Sequence, residues 1–177
     1  MSDLFEPTLA TDGVLRPTHV EVRLDVIADN YRALCQAAKG RPVMAILKAN
    51  AYGHGLIPVA RKLESMGCPY FGLAYLEEGL SLRREGVQTP ILILGGIIGS
   101  QIPLFIQNNL TITASSVDKL RTIEETAKRM GMKARAHLKI DTGMERIGVH
   151  HYSAEALLME SLRCRHVIIE GIFSHFA

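Results

Sequence analysis

Nothing in this 177-residue sequence approaches the ~20 consecutive apolar residues that a membrane-spanning helix requires. The opening MSDLFEPTLATDG lacks a basic stretch followed by an apolar core, so it does not read as a secretory signal. Neither sign of charge is in excess. Lys+Arg number 20 against 18 Asp+Glu, a formal +2 without runs of like charge, which argues against a nucleic-acid surface. Cysteine is scarce: Cys35, Cys68 and Cys164 are odd in number, far apart and outside any CxxC pair. They read as reduced thiols of a cytoplasmic protein rather than a disulfide frame. The seven histidines show no metal-ligand spacing, and no GxGxxG follows an apolar run, which disfavours a dinucleotide-binding sheet.

What is present is alternation. The composition is 47% hydrophobic, enough for one well-buried domain. Residues 1–18, rich in Thr, Pro and Gly, read as a flexible leader, and 19–177 as the folded domain. In that domain short apolar runs alternate with amphipathic stretches. VMAIL, YFGLAY, ILILGG, LTITAS, ARAHLKID and HVIIEGIFSHF read as six strands. Helices are expected between them and ahead of the first, where Asp25 is the expected cap and Gly40 the stop. Ser116 and Gly131 bound the clearest of the helices. Apolar strands without polar alternation suggest a parallel sheet covered on both faces, hence a doubly wound sheet or a barrel. The reading favours a (β/α)8 TIM-type barrel, truncated after about six strands, because a whole barrel takes ~250 residues.

Barrel chemistry sits at the C-terminal ends of strands. Lys48 and Tyr52 follow the first strand; Lys139, Asp141, Thr142, Gly143 and Arg146 lie at or after the fifth; Ser174 and His175 close the sixth. Each has a plain alternative. Lys48 alone reads as a solvated strand end, or, partly desolvated, as a Schiff-base amine. Tyr52 reads as a core ring, Arg146 as a partner for Asp141 or a carboxylate clamp, and His175 as a packed or a site residue. Gly53 and Gly55 permit a tight turn. His150–His151 read as a polar loop. Residue patterns lead no further than a barrel mouth with an amine, a phenol, a guanidinium and an imidazole.

Three stretches carry a resemblance. KANAYGHG (48–55), LKIDTGMERIG (138–148) and GIFSHFA (171–177) resemble, in order and spacing, the signatures of the N-terminal half of bacterial alanine racemases, which use pyridoxal 5'-phosphate (PLP). The resemblance runs from about Thr18 to the end. It implies that Lys48 holds PLP covalently and then serves as a base for the α-proton. It further implies that Tyr52 binds the cofactor phosphate, Leu94 walls the cofactor and His175 packs by its pyridine ring. Arg146 is implied near the substrate carboxylate, and Lys139 matches a lysine that is carbamylated in some members. The implied whole enzyme is a cytoplasmic homodimer without nucleic-acid or membrane partners, supplying D-alanine for peptidoglycan. Its second base, a tyrosine, comes from the partner's C-terminal β-domain. That domain and tyrosine have no counterpart here, so the fragment is expected to be inactive alone.

Glu145 and Leu47 depart from the family pattern; Glu145 adds charge beside the implied carboxylate site. The competing expectations are a serine or broad-specificity amino-acid racemase and a non-catalytic PLP-binding barrel. The TGMERIG stretch favours a racemase.

Overall fold

The computed structural model describes residues 20–177, so the leader expected over 1–18 lies outside the described residues. The elements follow in order as α1 (Leu24–Ala37), β1 (Ala45–Ile46), α2 (Lys48–Tyr52), α3 (Leu56–Ser65), β2 (Phe71–Leu73) and α4 (Leu76–Arg84). Then come β3 (Ile91–Ile93), α5 (Ile102–Gln107), β4 (Thr111–Ala114), α6 (Val117–Met130), β5 (Ala134–Asp141), β6 (Val149–His150), α7 (Ala154–Arg163) and β7 (Val167–Phe173). All pairings are parallel, in the order β1-β2-β3-β4-β5, with both β6 and β7 on β5. Seven strands thus replace the six expected. The addition is β6, whose Val149 and His150 pair with Ile140 and Asp141; His150 is therefore strand and not loop. Among the described residues no helix is long and apolar enough to cross a membrane.

The inner strands β2, β3 and β4 are buried along their whole length, as continuous apolar runs covered on both faces should be. Phe71, Leu73, Ile91, Ile93 and Ile112 meet Leu82, Phe105, Leu120 and Ile123 of the helices in one core. β1 is shorter than VMAIL; among the described residues β2 is its one partner, and beyond the strand the Leu47 N–H still reaches the Gly72 carbonyl at 2.9 Å. Asp25 is not the cap of α1. Arg23 holds that position, and Asp25 sits in the first turn, 2.8 Å from the Arg23 guanidinium, where a negative charge also suits the helix dipole. The helix ends at Ala37, before Lys39 and Gly40 turn to positive φ. Ser116 does cap α6, accepting from the Lys119 N–H, and Gly131 closes it in the left-handed conformation.

Candidate active site

The chain leaves β1 through α2, a turn of the opposite hand to an ordinary helix. Ala49, Asn50, Ala51 and Tyr52 have φ between 51° and 56°. For L-residues each such position costs about 1–2 kcal/mol, so the turn needs outside support. Asn50 supplies some: its carbonyl accepts from Gly53 and Gly55, and its side-chain oxygen accepts the Leu56 N–H at 2.8 Å, opening α3. Gly53 and Gly55, at φ 89° and 92°, carry the chain out of the turn. One left-handed turn between Lys48 and Tyr52 lets both side chains line the same cavity.

That cavity, about 470 Å³, lies at the C-terminal ends of the strands. Lys48, Tyr52, Leu94, Lys139, Arg146 and His175 all line it, with Ile46 and Ile172 among its apolar walls. The six residues singled out from the sequence therefore converge from the ends of β1, β3, β5 and β7. Ser174 joins the same wall and hydrogen-bonds Thr142 across the gap between the β5 and β7 ends. Tyr52 and His175 are exposed and Lys48 is half-buried, so the mouth is open.

Lys139 is 4% exposed, with its Nζ 4.8 Å from the centre of the Phe173 ring. Burial pushes its pKa down; the charge of Asp141 opposes the shift and that of Arg146 adds to it. Asp141, 3% exposed, shapes the loop after β5. It accepts the Gly143 N–H at 2.8 Å and the Arg146 N–H at 3.2 Å, and these amide bonds, led by that of Gly143, hold its carboxyl below the usual range. The Arg146–Asp141 contact is thus made by the backbone, which leaves the guanidinium in the cavity wall. Gly148, at φ 119°, is required here because a Cβ would lie 2.9 Å from Lys139 Cγ and 3.0 Å from the Lys139 carbonyl oxygen. Glu145 is exposed and does not line the cavity; its Oε1 lies 3.5 Å from His150 Nδ1. Asp141, Glu145 and His150 have ligand atoms within 4.8 Å of one another, but both oxygens of Asp141 already accept backbone N–H groups.

Two contributors escape a reading of the sequence. His137, in mid-β5, forms part of the cavity floor between Tyr70 and Phe173, and burial lowers its pKa. Its signal was a histidine at an inward position of a strand, two residues before Lys139. Glu78 on α4 takes the Ala49 N–H at 2.6 Å. The two are 29 residues apart, and sequence spacing carries no mark of such a bond.

Comparison with known proteins accords with this geometry. The family model described as alanine racemase, N-terminal domain, matches residues 22–177. An alanine racemase from Geobacter sulfurreducens is 40% identical over 163 residues, 92% of this chain and 43% of the relative. A solved alanine racemase from Clostridium difficile 630, in complex with cycloserine, aligns with TM-score 0.85 at 34% identity, covering 93% of this chain and 46% of that one. A histidine racemase from Leuconostoc mesenteroides subsp. sake aligns with TM-score 0.81 at 29% identity, covering 87% and 42%. The chain spans less than half the length of these relatives. Its sheet corresponds to the N-terminal barrel portion of their fold, and the chain belongs to the alanine racemase N-terminal-domain family.

Proposed function

We propose that this chain carries the lysine-bearing part of a PLP-dependent alanine racemase, an enzyme of the cytoplasm that works as a homodimer. The observation that carries the reading is the single cavity shared by Lys48, Tyr52, Leu94, Lys139, Arg146 and His175. Its residues fit the cofactor. An amine suits an aldehyde, a phenol at the rim suits a phosphate, and Leu94, Ile46 and Ile172 suit the faces of a flat ring. Gly72 keeps that wall open to side chains packed above it: a Cβ there would lie 3.2 Å from Leu94 Cδ1. When bound, PLP supplies an electron sink that makes an amino-acid α-proton removable near neutral pH.

The protein's own work is attachment, orientation and proton transfer. Lys48 Nζ would hold the cofactor and would take or return the α-proton of the substrate. Tyr52, at the rim of the cavity, would donate its hydroxyl to a phosphate. Arg146 faces the substrate carboxylate with a fork that matches two oxygens. His175, on the same cavity wall, would pack beside the cofactor ring. Carbon dioxide could add to the Lys139 amine, forming an N–C bond and releasing a proton, and burial, which disfavours the ammonium, would assist. The resulting carbamate would draw Arg146 into line.

Inversion needs a second base on the opposite face, proposed to come from a partner subunit. The chain alone should therefore racemise alanine far more slowly than a whole enzyme. The likeness to a histidine racemase keeps a different amino-acid substrate as the second reading. The test is incubation with PLP, borohydride reduction and peptide mass analysis. A pyridoxyl group on Lys48, absent from Lys48→Ala, supports the reading. Labelling spread evenly over surface lysines, or full racemase turnover by the isolated chain, overturns it.

A further inference from the structure

The left-handed turn that begins at Lys48 is tied to the next loop of the barrel mouth by one carboxylate. Glu78 is the third residue of α4. Its Oε2 accepts the N–H groups of Ala74 at 2.8 Å and Tyr75 at 3.3 Å, at the start of its own helix. Its Oε1 reaches across to the Ala49 N–H at 2.6 Å. A helix cap needs the first two bonds but not the third. The Ala49 amide lies in the first turn of α2, where a backbone N–H has no acceptor within the turn. Ala49 is also the first of the four residues held at positive φ.

Both loops joined in this way are walls of the site. Ala74 and Tyr75 share a second recess of about 320 Å³ with Lys48, Leu94 and Arg146. We propose that Glu78 is a positioning residue for the cofactor site, clamping α2 so that Lys48 and Tyr52 engage one PLP molecule together. This rests on the cofactor reading above. The bond is charge-assisted and short, and the Glu78 carboxylate lies at the N-terminus of α4, whose dipole favours it. Without it, the turn loses an outside support against its intrinsic preference for the right-handed region. Lys48, the residue next to Ala49, then loses its fixed aim, and Tyr52 loses its place relative to Lys48.

The test compares Glu78→Ala and Glu78→Gln with Glu77→Ala, which removes a neighbouring exposed carboxylate from the same helix end. Two quantities are read: amide hydrogen exchange over 48–55, and the PLP concentration that half-saturates labelling of Lys48. Glu78→Ala should speed exchange of the α2 amides and raise the half-saturating concentration, each by about tenfold. Glu78→Gln, which keeps the length and one acceptor oxygen, should fall between Glu78→Ala and the wild type; Glu77→Ala should match the wild type. Tyr52→Phe should weaken labelling in the wild type but add little in Glu78→Ala. Unchanged exchange and labelling in Glu78→Ala would overturn the clamp. So would exchange raised as much across α4 as across α2, which would make Glu78 only the cap of its own helix. Should the wild-type chain fail to label at Lys48, the cofactor reading falls, and exchange alone decides the clamp.

Discussion

Lys139 and Asp141 lie two residues apart on β5, both buried, and their surroundings treat charge in opposite ways. Asp141 is met by the backbone amides of Gly143 and Arg146, so its charged form is favoured. Burial disfavours the ammonium of Lys139. At a pH below its lowered folded value, Lys139 is protonated both folded and unfolded, and the burial penalty is fully present. As pH rises through that value toward the ordinary 10.5, the penalty fades. Lys139→Met keeps the stem and removes the charge. It should stabilise the chain near neutral pH by about 1 kcal/mol, with the gain shrinking as pH rises through that window. Urea titrations at several pH values would read this; a gain that grows with pH would contradict it. The sequence places Lys139 beside the site because a strand end in a barrel is a readable position. Its burial depends on Phe173, 34 residues on, and on the closeness of Gly148, so it is not readable.

At the scale of elements, legibility follows from what specifies each one. β5 was readable from end to end because ARAHLKID has neighbours along much of its length, with β4 on one side and β7 on the other. α6 was readable because Ser116 and Gly131 write its limits into local chemistry. β6 was not: two residues held to the end of β5 leave no period to detect. Neither was α2, since no propensity predicts four successive non-glycine residues at positive φ. Asn50, Gly53 and Gly55 only hint at a turn. The hand of α2 makes a prediction that an ordinary helix would reverse. Glycine in a right-handed helix is destabilising, but at φ 53° Ala49→Gly relieves a steric cost larger than the chain entropy it adds. It should raise stability by up to about 1 kcal/mol. A loss of that size in thermal or urea unfolding would mean the turn is right-handed in solution. The Glu78 bond uses the Ala49 backbone, so the substitution leaves it available.

The sheet as a whole is open. Among the described residues β1 pairs only with β2, and β7 only with β5, so neither edge meets the other. Glu170 tells which face of β7 is the interior: it accepts from Tyr70 at 3.1 Å and Thr111 at 2.9 Å and pairs with Arg135, all across the inside of the barrel. Ile168, opposite Arg135, shares that face, whereas the irregularity at Glu170 sets Ile172 opposite Leu138 on the other face. Yet Ile168 is 46% exposed and Ile46, at the other edge, 38% exposed, while Ile172 on the opposite face is 58% exposed. Exposed apolar side chains beside unpaired strand edges are a template for pairing with another chain. In isolation this 177-residue polypeptide should therefore associate with itself, its sedimentation coefficient rising with concentration. Ile168 stands opposite Arg135 in the β5–β7 register. Ile168→Glu would set a second carboxylate beside that guanidinium, which already pairs with Glu170, while placing a charge on the edge. The variant should stay monomeric over the range where the wild type associates, with its circular dichroism unchanged. If both species associate alike, the contact lies elsewhere, and the open edge of β7 is not what drives it.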